Sequence, residues 1–426
     1  MKLLRLLSVL AALGLFLAAC GGGDDEESGG GGGDGEIATA PGFDGETIRL
    51  GILSPLSGPV AVIGEPLTAG NQVWFDYLNE EEGGIAGRYP VELVTQDTLY
   101  ETDTTVQRYN QIKNDVTMFT QLLGTPPTLA TLPSLQRDNI TAAPASLDAF
   151  WVREPNLLPV GGPYQVQAIN ALDYYRSEEG EDNTICGMFQ DDVYGEAGEA
   201  GVDFAAENGG FEVATKEEFQ AGDENFTGQV QSLRQSDCDA VFLTALPTEV
   251  GAILGTAARL EFAPRWILQS PGWIDELAES PLAEYLAQTT WVASEGTEWG
   301  DTEVQGMADM VQRVERYAPE QEPDYYFAFG YIQARAVTAL LEQAVENGDL
   351  SRDGIQEAMT QLGTVSFDGL SGDYDYGEGG GAENRNPPRT STIFEVDPEK
   401  PFGLGTLEYQ YTSDAAEQIE FTERAE

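Results

Sequence analysis

Short apolar runs alternate with longer amphipathic ones along the chain from Thr47 onward. The short runs are rich in β-branched or consecutive apolar residues, a composition that predicts strands. The predicted strands cover residues 47–53, 89–96, 117–123, 184–189, 212–219, 240–244, 265–269 and 289–293, with strand-like pieces at 392–396 and 406–411.

The stretches between these strands carry apolar residues at helical spacing. The predicted helices cover residues 65–80, 102–114, 125–137, 164–177, 194–208, 226–235, 248–260, 302–317, 325–347 and 352–362. Strands that alternate with helices across short linkers predict parallel sheets with helices on both faces, an α/β fold. A ligand in such a fold sits at the carboxyl ends of the strands. Because 426 residues exceed one compact core, we expect two lobes.

The amino terminus has the pattern of an export signal. Lys2 and Arg5 precede an apolar run over residues 6–17 that is too short to span a membrane, and Ala18, Ala19 and Cys20 follow. Residues 17–20 resemble the bacterial lipoprotein box, which implies that 1–20 are a signal peptide and that lipidated Cys20 anchors the protein to the outer face of the cell membrane. The alternative is a plain secretory signal with an incidental cysteine. Residues 21–46, mostly Gly, Asp, Glu, Ser and Ala, predict a flexible tether.

The charge balance narrows the possible partners. Lys and Arg total 21 against 73 Asp and Glu, a formal net charge of -52, which repels nucleic acid. The chain has no histidine, so Ser-His-Asp catalysis and most zinc sites are excluded. Clusters such as Asp191-Asp192 are expected by chance at this acidity, and the EF-hand spacing is absent. We therefore expect no metal, no cofactor and no nucleic-acid partner.

Several segments, taken in order, resemble the branched-chain amino-acid binding family of ABC-transporter receptors, the type I periplasmic binding proteins. The resemblance runs from Thr47 to about Val396. The segments that carry it are Ile52-Leu53-Ser54-Pro55-Leu56-Ser57-Gly58, Gly83-Gly84-Ile85, Asp192-Val193-Tyr194-Gly195, Asp239-Ala240-Val241-Phe242 and Phe367-Asp368-Gly369-Leu370-Ser371-Gly372.

The resemblance implies two Rossmann-like lobes with parallel sheets, joined by a hinge of three strands. Lobe 1 would comprise residues 47–162 plus 295–365, and lobe 2 residues 163–294 plus 366–426. The hinge crossings would fall near Gly162, Ser294 and Val365. Such receptors close around their ligand because the closed state adds contacts from the second lobe.

The resemblance also implies which residues bind the ligand. In the family, polar groups after the first-lobe strands hold a carboxylate, and the matching positions are Ser57 with Gly58, Thr125, Thr128 and Ser146. Hydroxyls and free amides at helix starts suit an anion. Thr125 and Ser146 would equally serve as ordinary helix caps or turn residues.

The second-lobe positions are less typical of the family. Tyr194 matches an aromatic residue that covers the ligand, although an exposed turn tyrosine is the alternative. Leu246 replaces a tyrosine, and Trp273 would either stack on the ligand or pack between lobes. After the strand at 265–269 the family usually has an acid that pairs with the ligand's ammonium group. Here Ser270, Pro271 and Gly272 follow instead, so an α-amino acid ligand is disfavoured.

Cys186 and Cys238 begin two strands of the predicted second lobe. An exported protein permits their oxidation, so a disulfide and two buried thiols are both compatible with the sequence.

The sequence therefore predicts a monomeric solute-binding lipoprotein, not an enzyme. It would capture an amino acid or a related small carboxylate or amide and deliver it to an ABC permease. A ligand-sensing or assembly-regulating lipoprotein on the same fold is the alternative. An exported hydrolase would need a pair of carboxylates that the sequence does not mark.

Overall fold

The computed structural model describes Ile37 and residues 39–424. The predicted signal peptide, Cys20 and most of the predicted tether lie outside the described residues. In chain order the strands are β1 Ile48–Ser54, β2 Val91–Asp97, β3 Met118–Leu123, β4 Ala142–Ala145, β5 Ile185–Gln190, β6 Val213–Phe219, β7 Ala240–Thr244, β8 Arg265–Gln269, β9 Thr290–Ser294, β10 Thr364–Val365, β11 Tyr374–Asp375, β12 Ser391–Val396 and β13 Leu404–Tyr411.

Helices separate most of these strands. They are α1 Ala61–Tyr77, α2 Thr102–Ile112, α3 Thr125–Asp138, α4 Tyr164–Glu179, α5 Val193–Gly209, α6 Thr227–Gln235, α7 Pro247–Arg259, α8 Asp275–Glu279, α9 Ala283–Thr289, α10 Gln305–Tyr317, α11 Tyr325–Glu346 and α12 Arg352–Met359. A π-helical turn, Leu78–Glu82, extends α1, and 3-10 turns lie at Ala149–Arg153, Ala382–Asn384, Pro401–Gly403 and Ala416–Gln418. Among the described residues, no helix is both long and apolar enough to cross a bilayer.

The strands form two main sheets, one in each lobe. The first sheet has the order β2-β1-β3-β4 with every pairing parallel. The second has the order β13-β12-β9-β8-β7-β5-β6; it is parallel from β9 to β6 and ends in the antiparallel pair β12 and β13. Strands β5, β7, β8 and β9 are almost entirely buried because helices cover both faces. The predicted α/β architecture with two parallel sheets is confirmed.

The last three helices return to the first sheet although they follow the second in sequence. The Gln333 side chain of α11 donates to the backbone oxygens of Ala143 and Pro144 in β4. Gly70 of α1 lies so close to α11 that an added Cβ would be 2.0 Å from the Phe327 oxygen. The chain therefore crosses between the sheets more than once.

Several local features differ from the predicted elements, and the short helices α8 and α9 were not predicted at all. Strand β4 was not predicted, because its Ala-Ala-Pro-Ala sequence has none of the β-branched residues that mark strands. Helix α1 begins at Ala61, four residues earlier than predicted, so Pro66 lies inside the helix and not at its first turn. The carbonyl that Pro66 leaves without a donor belongs to Val62, which is exposed to water.

The end of the predicted tether is also ordered. Phe43 is buried, forms a bridge with Ile48, and packs edge-on against Tyr89 with ring centroids 5.1 Å apart. Gly42 accepts a hydrogen bond from the Arg49 amide. The folded body therefore begins before Thr47, and an aromatic residue in a Gly-rich segment is the signal that marks it.

Cys186 and Cys238 form a disulfide with Cα atoms 5.9 Å apart. Cys186 lies in β5 and Cys238 lies two residues before the neighbouring strand β7, so parallel pairing brings the two residues together. The sequence was compatible with a disulfide or with two buried thiols, and the structure has the disulfide.

Candidate ligand-binding site

A pocket lies where the carboxyl ends of both sheets face each other. It contains about 500 Å³ of empty space, part of it open to solvent. Its lining comes from the loops that follow the strands and from the starts of α1, α4 and α11. The lining residues are Val60, Ile63, Leu67, Tyr100, Leu123, Gly124, Thr125, Ala145, Ser146, Leu147, Tyr164, Tyr194, Leu246, Ser270, Pro271, Glu295, Tyr325, Tyr326 and Phe329. This is the position that the carboxyl-end rule for α/β sheets predicts.

The first-sheet wall of the pocket follows β3 and β4. Gly124 has a φ of 102°, and this left-handed conformation turns the chain directly from β3 into α3. Thr125 is consequently the first residue of α3 and is buried against the pocket. Ser146 follows β4, and its Oγ accepts a hydrogen bond of 2.7 Å from the Trp151 indole. This wall therefore offers hydroxyls and apolar atoms but no charged side chain.

The second-sheet wall follows β5, β7, β8 and β9. Asp192 caps α5 by accepting hydrogen bonds from the amides of Tyr194 and Gly195, which fixes the start of the helix. The Tyr194 ring packs against Tyr164 with centroids 5.2 Å apart. Leu246 and Ser270 are buried beside it.

Glu295 is the carboxylate of the pocket. It directly follows β9 and is only 4% exposed. Its Oε2 accepts hydrogen bonds from Gln167 at 2.9 Å and from Ser270 and Ser294 at 3.5 Å each. Burial raises the pKa of Glu295 to about 7, although the surrounding hydroxyl donors act in the opposite direction.

Glu295 corrects one argument made from the sequence. The absence of an acid after β8 suggested that a ligand's ammonium group would be left without a counter-charge. The structure supplies a carboxylate from the neighbouring strand β9 instead. The sequence contains the signal, because Glu295 follows a predicted strand, and the carboxyl-end rule applies to every strand of the sheet.

The structure divides the predicted site residues into two groups. Thr125, Ser146, Tyr194 and Leu246 line the pocket. The other four, Ser57, Gly58, Thr128 and Trp273, lie outside its lining.

The residues outside the pocket have other contacts. Ser57 is exposed and donates to Asp97 at 2.5 Å, while the neighbouring Gly58 faces open space. Thr128 lies inside α3 and its hydroxyl is directed to the Leu122 carbonyl at 3.4 Å. Trp273 is buried and its indole donates to the Phe402 carbonyl at 3.0 Å, which is the packing alternative for this residue. The sequence spacing alone did not distinguish these residues from the ones that line the pocket. Hydroxyl groups near a strand end also form hydrogen bonds within turns and helices.

Two α/β lobes with a pocket between the carboxyl ends of their sheets are the architecture of the two-lobed binding proteins. The family profile described as periplasmic binding protein matches residues 47–401, and the chain belongs to this family. Members of the family and the structural neighbours are solute-binding proteins.

One curated relative is the leucine-, isoleucine-, valine-, threonine- and alanine-binding protein of Pseudomonas aeruginosa. It is 24% identical over 236 residues, which are 52% of this chain and 60% of that protein. The match thus spans less than two thirds of the relative's length.

Solved structures share the fold over most of the chain. A fatty acid ABC transporter substrate-binding protein from Thermomonospora curvata has a TM-score of 0.82 at 22% identity, covering 91% of this chain and 98% of that one. A branched chain amino acid ABC transporter from Thermus thermophilus with bound valine has a TM-score of 0.74 at 17% identity, covering 88% and 99%.

Proposed function

We propose that the chain is the lipid-anchored receptor of an ABC importer and captures a small solute in the pocket between its sheets. The observation that carries the proposal is the pocket itself. Its lining comes from loops of both lobes and contains a single carboxylate, Glu295. A ligand in this position contacts both sheets at once, so it binds a closed state more tightly than an open one.

The predicted hinge supports the same proposal. Glu295 directly follows Ser294, one of the predicted crossings. An added Cβ on Gly161, beside the predicted crossing at Gly162, would be 2.9 Å from the Glu295 side chain. The segments of two predicted crossings therefore meet at the buried carboxylate. A solute that contacts Glu295 would act directly on the segments that must bend.

An exported hydrolase is less compatible with this pocket. Hydrolysis by a carboxylate pair needs two acids that face the same substrate, and the lining contributes one. A sensor on the same fold would use the same pocket, so the binding geometry alone does not distinguish it from a transport receptor.

The test is a thermal-shift screen of the chain without its predicted signal peptide. The panel contains branched-chain amino acids, fatty acids, amides and organic amines. A solute at 100 times its dissociation constant adds about 2.7 kcal/mol to the free energy of unfolding, which a melting curve resolves. Leu246→Trp fills the pocket and should abolish the shift. Ser57→Ala, which lies outside the lining, should preserve it.

Uptake distinguishes import from sensing. Deletion of the chain should abolish uptake of the solute that shifts the melting curve, and the full chain should restore uptake while Leu246→Trp should not. If uptake persists without the chain, the transport role is wrong.

A further inference from the structure

Five tyrosines and one phenylalanine line the pocket. The aromatic residues are Tyr100, Tyr164, Tyr194, Tyr325, Tyr326 and Phe329. They come from separate segments: the loop after β2, the start of α4, the start of α5 and the start of α11. Four separate segments of the chain thus each contribute aromatic side chains to the same pocket.

The rings stand at steep angles to one another. Tyr164 and Tyr194 have an interplanar angle of 65°, and Tyr325 and Tyr326 one of 77° with centroids 5.6 Å apart. Rings at such angles do not stack face to face on each other. Ring faces carry negative charge density and attract a cation within about 6 Å of the centroid.

The charged side chain in the pocket lining is acidic. Glu295 is the lining residue that carries a carboxylate, and no lysine or arginine lines the pocket. Burial, and then the nearby charge of Glu295, raise the pKa of Tyr325 well above its ordinary value. Glu295 also contributes to the raised pKa of Tyr164 and Tyr326. The carboxylate therefore acts on the same rings, and an anionic ligand group would be buried without a counter-charge.

The aromatic lining favours an alkylated cation over a primary ammonium. A primary ammonium group must bury three N–H donors. Oε2 of Glu295 already accepts from three protein donors, Gln167, Ser270 and Ser294, so a ligand shares the carboxylate with the protein. The methyl groups of an alkylated ammonium need no acceptors and pack directly on ring faces.

We propose that the pocket binds an organic cation of amino-acid size whose alkylated ammonium group lies among the tyrosine rings beside Glu295. The inference rests on the proposed solute-binding function and names the substrate class of the same pocket. It differs from the ligands in the names of the relatives, which are amino acids and fatty acids.

The experiment compares two probes of equal shape and different charge. Choline and 3,3-dimethylbutan-1-ol differ by the exchange of the quaternary nitrogen for carbon, and isothermal titration of the signal-free chain measures both. Tetramethylammonium, leucine and octanoate are titrated in parallel. We expect the cations to bind and the neutral alcohol to bind at least tenfold more weakly.

Each other outcome overturns the inference. Equal affinity for choline and the alcohol would show that the rings provide only apolar area. Binding of leucine or octanoate without the cations would preserve the solute-binding function while removing the cation. Absence of binding by every probe would overturn the inference, and the broader screen above would then decide the solute-binding function separately.

Substitutions at two positions distinguish the contribution of the charge from that of the aromatic ring. Glu295→Gln keeps the size of the side chain and should weaken choline at least tenfold while leaving the alcohol unchanged. Tyr164→Phe keeps the ring and should bind choline nearly as well as the unmodified chain, whereas Tyr164→Leu should lose most of the binding. A melting curve of each variant shows that it is folded, and equal choline affinity in Tyr164→Phe and Tyr164→Leu would contradict a role for the ring.

Discussion

The first-sheet wall of the pocket, with Thr125 and Ser146, carries hydroxyls and apolar atoms, whereas the second-sheet wall carries the buried carboxylate of Glu295. The supporting structure differs in the same way. The second sheet is cross-linked by the disulfide between Cys186 and Cys238 at the amino ends of β5 and β7, away from the pocket, and the first sheet is held by packing and by polar contacts of its outer helices. One wall of the pocket therefore supplies hydroxyls and apolar surface and the other supplies the carboxylate, and the sheet that carries the carboxylate also has a covalent cross-link.

The largest expected effect concerns the cross-link. Replacing Cys186 and Cys238 by alanine removes a covalent link across 52 residues, and the loop-closure estimate is about 4 kcal/mol of unfolding free energy. Urea denaturation of the variant and of the unmodified chain measures the loss. Reductant should destabilise the unmodified chain by a similar amount and leave the variant unaffected. An unchanged midpoint in the variant would mean that the second sheet does not depend on the bridge.

The next effect concerns the pH dependence of Glu295. Its pKa of about 7 in the folded state lies above the ordinary value, so the folded protein holds a proton that the unfolded chain releases. The stability contributed by this group is complete at low pH and is lost as the pH rises through about 7. A shift of this size corresponds to about 3 kcal/mol between pH 4 and pH 8.

Glu295→Gln should remove that part of the pH dependence in the ligand-free protein. Acids that titrate elsewhere are the same in both proteins, so the difference between the two stability curves isolates Glu295. Tyr325 and Tyr326 do not contribute over this range because burial raises the pKa of each well above 10. The free energy of unfolding of each protein is measured by urea denaturation at each pH. If the two plots of this free energy against pH were parallel, the pKa of Glu295 would not be raised by folding.

Much of this arrangement follows from periodicity, and the exceptions have physical causes. Strands β7 and β8 match their predicted bounds because buried parallel strands read as uninterrupted apolar runs. Strand β4 has no such run, because pairing with β3 and not side-chain propensity makes it a strand. Tertiary context decides such elements.

The prediction of the site residues from the sequence was limited in the same way by tertiary context. The family resemblance led to Thr125, Ser146, Tyr194 and Leu246, which line the pocket. It gave Thr128 as well, but the helical turn that places Thr125 on the pocket directs Thr128 to the Leu122 carbonyl. The aromatic residues at the start of α11 were not predicted as site residues. They approach the pocket only because α11 returns to the first sheet, a long-range contact that has no local signal.

The smallest expected effect concerns Asp138, an acid beside the first sheet whose pKa is shifted in the opposite direction to that of Glu295. Asp138 ends α3, beside the first sheet, and contacts Lys113 at 2.6 Å. Burial acts to raise its pKa, but hydrogen bonds from Lys113, Arg137 and Tyr109 lower it to about 2. This group therefore stabilises the fold above its ordinary pKa of 3.8, and the stabilisation is lost as the pH falls toward 2.

Asp138→Asn should accordingly destabilise the protein at neutral pH and have little effect near pH 2, the reverse of the dependence at Glu295. The loss should be smaller than the pH-dependent change expected at Glu295, because the ion pair lies near the surface and is screened by salt. Urea denaturation at pH 7 in low and high salt measures it, and the difference between the variant and the unmodified chain should shrink as salt is added. If the two acids gave pH dependences of the same sign, burial would dominate at both positions, and the contrast between a charge-stabilised first sheet and a charge-burying second sheet would be wrong.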